Sequence, residues 1–229
     1  MAELVLILGN SGTGKTRSVK NLDPSKTLII NVLGKTLPFR VEYQKLDSKT
    51  KTGNMAVFHK VDDIIKTLQY VEKERDFDYY IIDDFNYIMS YEFFERAKET
   101  GYQKFTDIGR NIYNLFNHLK QMPENKIVFI LGHTEEQYSE NGKFTKIKTI
   151  GKLLDEKFTL EGLCTIVLGT SVERDIINKK VNYYFITQNS GNDTLKSPEE
   201  MFEDLKIPND LNYVVEKIKE YYPNKFKTN

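Results

Sequence analysis

The chain has 229 residues, and its 33 basic and 33 acidic side chains cancel, which excludes a polyanion binder that works by bulk charge. Fourteen Tyr and 14 Phe supply an apolar core and exclude general disorder. A single cysteine, Cys164, excludes an intrachain disulfide and a zinc site built on clustered thiolates. At about 150 residues per domain the length suits one domain, or one and a half. The longest apolar run, Leu4 to Leu8, falls far short of the ~18 residues of a membrane span. No basic segment precedes it and no cleavage-type motif follows, so a cytoplasmic location is expected, with no membrane partner.

Leu4 to Leu8 is a continuous apolar run ended by Gly9, the pattern of a buried parallel strand. A short helix is expected from about Lys15 to the turn pair Asp23-Pro24. Thr27 to Val32 is a second, β-branched strand. Val61, Ile64, Ile65, Leu68 and Val71 fall at helical spacing. Tyr79 to Ile82 is a third buried strand, stopped by Asp83-Asp84. Phe105, Ile108, Ile112, Leu115, Phe116, Leu119 and Met122 trace one face of a long helix ended by Pro123. Ile127 to Leu131 is a fourth strand, followed by Gly132-His133-Thr134.

After residue 134 the pattern changes. Asn141-Gly142 between two polar arms signals a tight hairpin. Thr165 to Thr170 and Val181 to Thr187 read as further strands, expected to be antiparallel. Ser197-Pro198-Glu199-Glu200 has the composition of a helix start. Leu211, Val214, Val215, Ile218 and Tyr221 form a closing amphipathic helix before Pro223. The alternation of strand and helix predicts an α/β fold with a mostly parallel central sheet flanked by helices. The whole chain, 1–229, reads as one domain. Its core is 1–134, a hairpin and β-rich part covers 135–196, and C-terminal helices cover 197–222.

The chemistry sits in Gly9-Asn10-Ser11-Gly12-Thr13-Gly14-Lys15-Thr16, a full match to G-x-x-x-x-G-K-[ST] between a strand and a helix. Glycines let the backbone curl so that successive N–H groups cradle phosphates at a helix N-terminus. Lys15 then reaches the β- and γ-phosphates, and the Thr16 hydroxyl ligates Mg²⁺. A second carboxylate is expected at the tip of another strand, and Asp83 fits, holding the metal through water. Asp84 has two readings. It orients the attacking water, or it caps the helix that follows. His133 likewise either touches the γ-phosphate or closes a turn. The GTPase signature Asn-Lys-x-Asp is absent, since Asn125-Lys126 runs on into the fourth strand, so ATP is expected rather than GTP.

Lys143, Lys146, Lys148, Lys152 and Lys157 concentrate after the fourth strand, with Tyr138 and Phe144 among them. Cations that follow phosphates and rings that stack on bases suit single-stranded nucleic acid. Glu135, Glu136, Glu140, Asp155 and Glu156 dilute that charge, so an ordinary solvated hairpin is the other reading.

The full loop, Ile-Ile-Asp-Asp, Gly-His-Thr, Glu-Gln-Tyr-Ser-Glu-Asn-Gly-Lys and Lys196-Ser197-Pro198 together resemble phage-encoded nucleotide-binding proteins of the AAA/RecA-like class. The likeness is strongest to those that assist single-strand annealing and recombination, and it covers residues 4 to about 204. It implies a RecA-like P-loop NTPase core, ATP with Mg²⁺, a ring or filament on single-stranded DNA, and phage or host replication and recombination proteins as further partners. It also implies a DNA-binding loop at 135–150, and a basic residue, Arg174 or Lys196, reaching into a neighbouring subunit's nucleotide. The chain departs from RecA where the strand after the first helix ends in Asn31-Val32-Leu33-Gly34, without a carboxylate. Either Asp84 takes that role, or hydrolysis is slow and binding is the function. Two other readings share the loop, a nucleoside or nucleotide kinase and a helicase-loader ATPase acting through a protein partner. A kinase lid clusters arginines, whereas Arg17, Arg40, Arg75, Arg96, Arg110 and Arg174 are scattered here.

Overall fold

The apolar run at Leu4 to Leu8 becomes a central strand. In the computed structural model, which describes residues 1–40, 43–139, 142–151 and 158–227, β1 (Glu3–Leu8) is buried along its whole length. It lies between two parallel neighbours, β5 (Ile127–Gly132) and β8 (Ile166–Asp175). Beyond β5 come β4 (Tyr79–Asp83), β2 (Thr27–Asn31) and the two-residue β3 (Met55–Ala56). Beyond β8 come β9 (Lys180–Ile186) and β10 (Lys206–Pro208). The eight-stranded order is β10-β9-β8-β1-β5-β4-β2-β3. The pairs from β8 to β3 are parallel, whereas β8–β9 and β9–β10 are antiparallel. The fold class is therefore α/β, with a mostly parallel central sheet and antiparallel C-terminal strands.

Both faces of the sheet are covered, which is why its strands read as unbroken apolar runs rather than alternating ones. Leu4, Leu6 and Leu8 of β1 point into one core layer, and Val5 and Ile7 into the other. The first layer is closed by α1 (Val61–Glu74), α2 (Asn86–Glu95) and α3 (Gln103–Gln121). The second is closed by α4 (Leu211–Tyr221) and a single 3-10 helix at Thr16–Asn21. The stripes expected for α1, α3 and α4 are the faces those helices bury, except that Tyr221 at the end of α4 is exposed. In its sequence, α2 carries no helical stripe. It buries Ile88 and Met89 but exposes Tyr87, Tyr91 and Phe94, so its apolar residues surround the axis.

Two expectations need correction. The strand at 165–170 is not simply antiparallel. Its apolar half, Ile166 to Gly169, pairs in parallel with β1, and from Gly169 onward its polar half pairs antiparallel with β9. The helix expected at Ser197 does not form, so 197–222 holds one helix rather than several. The Met201 amide closes a turn on Pro198, and Glu200 takes a left-handed φ of +62°. Met201 then drops into the second core layer and the chain continues into β10. The short helix expected after the loop is present as the 3-10 helix at Thr16–Asn21, ended at Leu22.

The hairpin is present. β6 (Thr134–Ser139) and β7 (Gly142–Ile147) pair as a two-stranded ribbon outside the main sheet. Its turn residues Glu140 and Asn141, together with Lys152, Asp155, Glu156 and Lys157, lie outside the described residues.

Phe116 on α3 is fully buried and meets Phe85 edge-on at 5.8 Å. Phe116→Ala should lower the unfolding free energy by about 3–5 kcal/mol, measured by urea titration. Tyr102→Ala, at a residue 88% exposed, should change it by less than about 0.5 kcal/mol.

Candidate active site

Residues 9–16 connect β1 to the 3-10 helix at the carboxyl end of the sheet, where open α/β sheets bind ligands. Gly12 and Gly14 take φ of +78° and +98°, which side chains other than glycine rarely adopt. The loop is braced from β8. The Thr170 hydroxyl lies 2.6 Å from that of Thr13 and donates to the Leu8 carbonyl at 3.2 Å. A Cβ on Gly9 would stand 1.7 Å from the Thr170 hydroxyl and 2.7 Å from that of Thr13, so any other residue there would have to displace this brace. The Lys15 ammonium is buried and donates to the Gly9 and Asn10 carbonyls at 2.8 and 2.9 Å.

Asp83 and Asp84 stand at the end of β4. The Thr16 hydroxyl meets both carboxylate oxygens of Asp83 at 3.0 Å. Asp84 takes a left-handed φ of +59°, which turns the chain out of the strand. Its side chain does not cap α2; the bond to Tyr87 N–H comes from its main-chain carbonyl. The carboxylate instead bonds His133 Nε2 at 3.2 Å through one oxygen and Lys35 Nζ at 3.1 Å through the other. His133 Nδ1 lies 3.4 Å from Lys15 Nζ. A neutral His133 carrying its proton on Nε2 satisfies both contacts, a tautomer assigned from the network.

Lys35 gave no sequence signal, because its partner lies on another strand. β2 and β4 pair so that Asn31 faces Asp83. The turn at Asn31–Gly34 then carries the chain over Asp84, with the Asn31 amide donating to the Lys35 carbonyl at 2.6 Å. The strand end that lacks a carboxylate thus delivers a lysine. Leu37 and Phe39 pack on the second core layer and tie the following segment down.

These elements enclose an open cleft of about 730 Å³. Its charged lining is Lys15, Arg17, Lys20, Lys35 and Arg40 against Asp83 and Asp84, so the field favours a polyanion. The Arg17 guanidinium lies over the Tyr183 ring at 4.8 Å on the rim. Burial pushes the Lys15 ammonium down to about 8, with the neighbouring carboxylates Asp84 and Asp83 opposing. Burial and the adjacent Asp84 charge push Asp83 up to about 6. Burial also acts to raise Asp84, but the bonds from His133 and Lys35 together outweigh it and hold Asp84 below the usual carboxylate range.

The donor set suits Mg²⁺ that arrives with a phosphate substrate. One hydroxyl and one carboxylate side by side leave most of an octahedron to water and phosphate oxygens. Among the described residues no cluster of three or more His, Cys, Asp or Glu could hold a metal by itself.

The loop residues, Asp83, Asp84 and His133 thus converge on one cleft. The hairpin starts beside it. His133 N–H donates to the Asn86 carboxamide oxygen at 2.5 Å, and the Asn86 NH₂ bonds the Lys148 carbonyl. Lys148 N–H also closes on the His133 carbonyl at 2.8 Å. Asn86, which the sequence analysis missed, therefore binds both strand roots of the ribbon. Tyr138 is 76% exposed, and Phe144 is also exposed. Lys143 pairs with Glu136 at 2.5 Å and Lys146 with Glu135 at 3.5 Å. Arg174 is exposed on the β8–β9 hairpin, and Lys196 forms a main-chain bridge with Val167. Neither lines this cleft.

No protein-family model and no curated protein matches the sequence. Among solved structures, a KaiC-like protein from the hyperthermophilic archaeon Pyrococcus horikoshii OT3 aligns with a TM-score of 0.45 at 12% identity, over 86% of this chain and 80% of that one. No described helix is long and apolar enough to cross a membrane.

Lys15 must carry its proton to hold a phosphate. The affinity of the cleft for a polyphosphate should therefore fall as pH rises through about 8, and such binding above that pH should take up a proton. Calorimetry in buffers of different ionisation enthalpy reads that uptake directly.

Proposed function

We propose that this protein binds a nucleoside triphosphate with Mg²⁺ and hydrolyses it, with ATP as the nucleotide. The observation that carries this reading is the Thr16–Asp83 contact beside the buried Lys15. It provides a metal-ligating pair and a phosphate cation at the mouth of one glycine loop. The loop amides and Lys15 hold the phosphates, and Thr16 with Asp83 would hold Mg²⁺. The metal, when bound, supplies neutralisation of charge on the phosphate oxygens. Asp84, held ionised, accepts a hydrogen bond from water and orients it. The water oxygen attacks the terminal phosphorus and the bond to the β–γ bridging oxygen breaks. The electron pair leaves on the diphosphate, and the water proton leaves with inorganic phosphate.

Lys15→Ala should reduce turnover by about 10²–10³-fold and weaken nucleotide binding. Asp84→Asn should reduce turnover by at least about 10²-fold while binding is retained. Phosphate release and fluorescent-nucleotide binding, measured side by side, check both. Normal turnover in Lys15→Ala would overturn the assignment, and product formation that requires an added nucleoside acceptor would make the protein a kinase.

We further propose that the ribbon contacts single-stranded nucleic acid, a reading supported by the exposed rings of Tyr138 and Phe144 on a ribbon rooted at the site. Because Lys143 and Lys146 are already paired with glutamates, stacking rather than charge carries the contact. Tyr138→Ala should weaken binding of an oligonucleotide by about 1–3 kcal/mol. The salt slope should stay no steeper than about −1.4, the value for two phosphates. A steep slope unaffected by Tyr138→Ala would place the contact elsewhere.

A further inference from the structure

Nucleoside triphosphate hydrolysis needs positive charge on the terminal phosphoryl group besides the loop lysine, and this charge comes either from the same chain or from a neighbour. The cleft contains a cation suited to the task. Lys35 lines it, its side chain is 61% exposed, and its ammonium lies 3.1 Å from Asp84. Lys15, His133, Asp84 and Lys35 form a continuous polar chain with contacts of 3.4, 3.2 and 3.1 Å. Lys15 stands at one end of that chain and Lys35 at the other. The Lys35 main chain is pinned by Asn31, so its exposed arm swings from a fixed base. The ring of Tyr87, which also lines the cleft, lies with its centroid 5.6 Å from the ammonium.

We propose that Lys35 is a catalytic residue acting in cis. It contacts the terminal phosphate, and without nucleotide it rests on Asp84. The inference builds on the hydrolase reading above. A triphosphate carries more negative charge than one carboxylate and draws the ammonium across. Asp84 keeps His133 and gains a free oxygen for the water. Lys35 thus links substrate arrival to release of the water-orienting group, and no cation from a neighbouring subunit is required.

The test compares Lys35→Met and Lys35→Arg with the wild-type chain, after thermal unfolding shows that all three are folded. Lys35→Met should lower turnover by about 10²–10³-fold. It should weaken ATP binding by roughly tenfold, one charge-assisted contact, and leave ADP binding unchanged, because ADP lacks the phosphate in question. Lys35→Arg keeps the charge and should retain the preference for ATP over ADP. Equal loss for ATP and ADP, or lost turnover with an unmoved ATP-to-ADP ratio, would overturn the contact. A second experiment mixes Lys35→Met with Lys15→Ala in equal amounts. Activity should stay at the sum of the two; recovery toward wild type would mean that the lysine acts across subunits. Absence of turnover in the wild-type chain would count against the hydrolase reading. The ATP-to-ADP binding ratio would still decide whether Lys35 meets the terminal phosphate.

Discussion

The Thr16 hydroxyl and the Asp83 carboxylate come from units that are not neighbours in the sheet. β1, which leads into the glycine loop, and β4, which ends at Asp83, are separated by β5. Their contact at 3.0 Å closes over the end of that intervening strand. It exists only while three strands keep their register, so the geometry of the cleft is a readout of the whole parallel sheet. The Asp83 carboxylate meets only the Thr16 hydroxyl and the Asp84 N–H, and burial with the adjacent Asp84 charge still pushes its pKa up to about 6. Under the proposed function, a divalent cation would correct this imbalance.

The main strands and the amphipathic helices were legible because both signals are local. Four apolar runs marked β1, β2, β4 and β5, and helical spacing marked α1, α3 and α4. The glycine loop was legible because its chemistry is written in consecutive residues. What stayed hidden depends on neighbours brought together by topology. Lys35 matters because β2 pairs with β4, Thr170 because β8 lies beside β1, and Asn86 because α2 passes under the ribbon roots. The Ser197 helix failed for a related reason. Its capping composition is a local preference, and burial of Met201 with edge pairing at β10 overrode it.

Asp84 shows how a single backbone conformation assigns a role. A residue at the end of a strand before a helix is well placed to cap that helix. The left-handed turn at φ +59° points its carboxylate away from the helix start and toward His133 and Lys35. Non-glycine residues hold such a conformation only where the surroundings determine it. Here those surroundings include two side-chain bonds that also keep the group ionised.

The ribbon of β6 and β7 shares no strand pairing with the eight-stranded sheet. It is tied near its root, by Asn86, by the buried Glu161 carboxylate on the Ile147 amide, and by Thr145 on the Asn192 carbonyl. A two-stranded element alone is marginal in water. Its outer amides should exchange with solvent through local opening while the central strands stay protected. The molecule therefore sets a doubly covered sheet beside a ribbon whose hold on the body rests on a few polar contacts near its root.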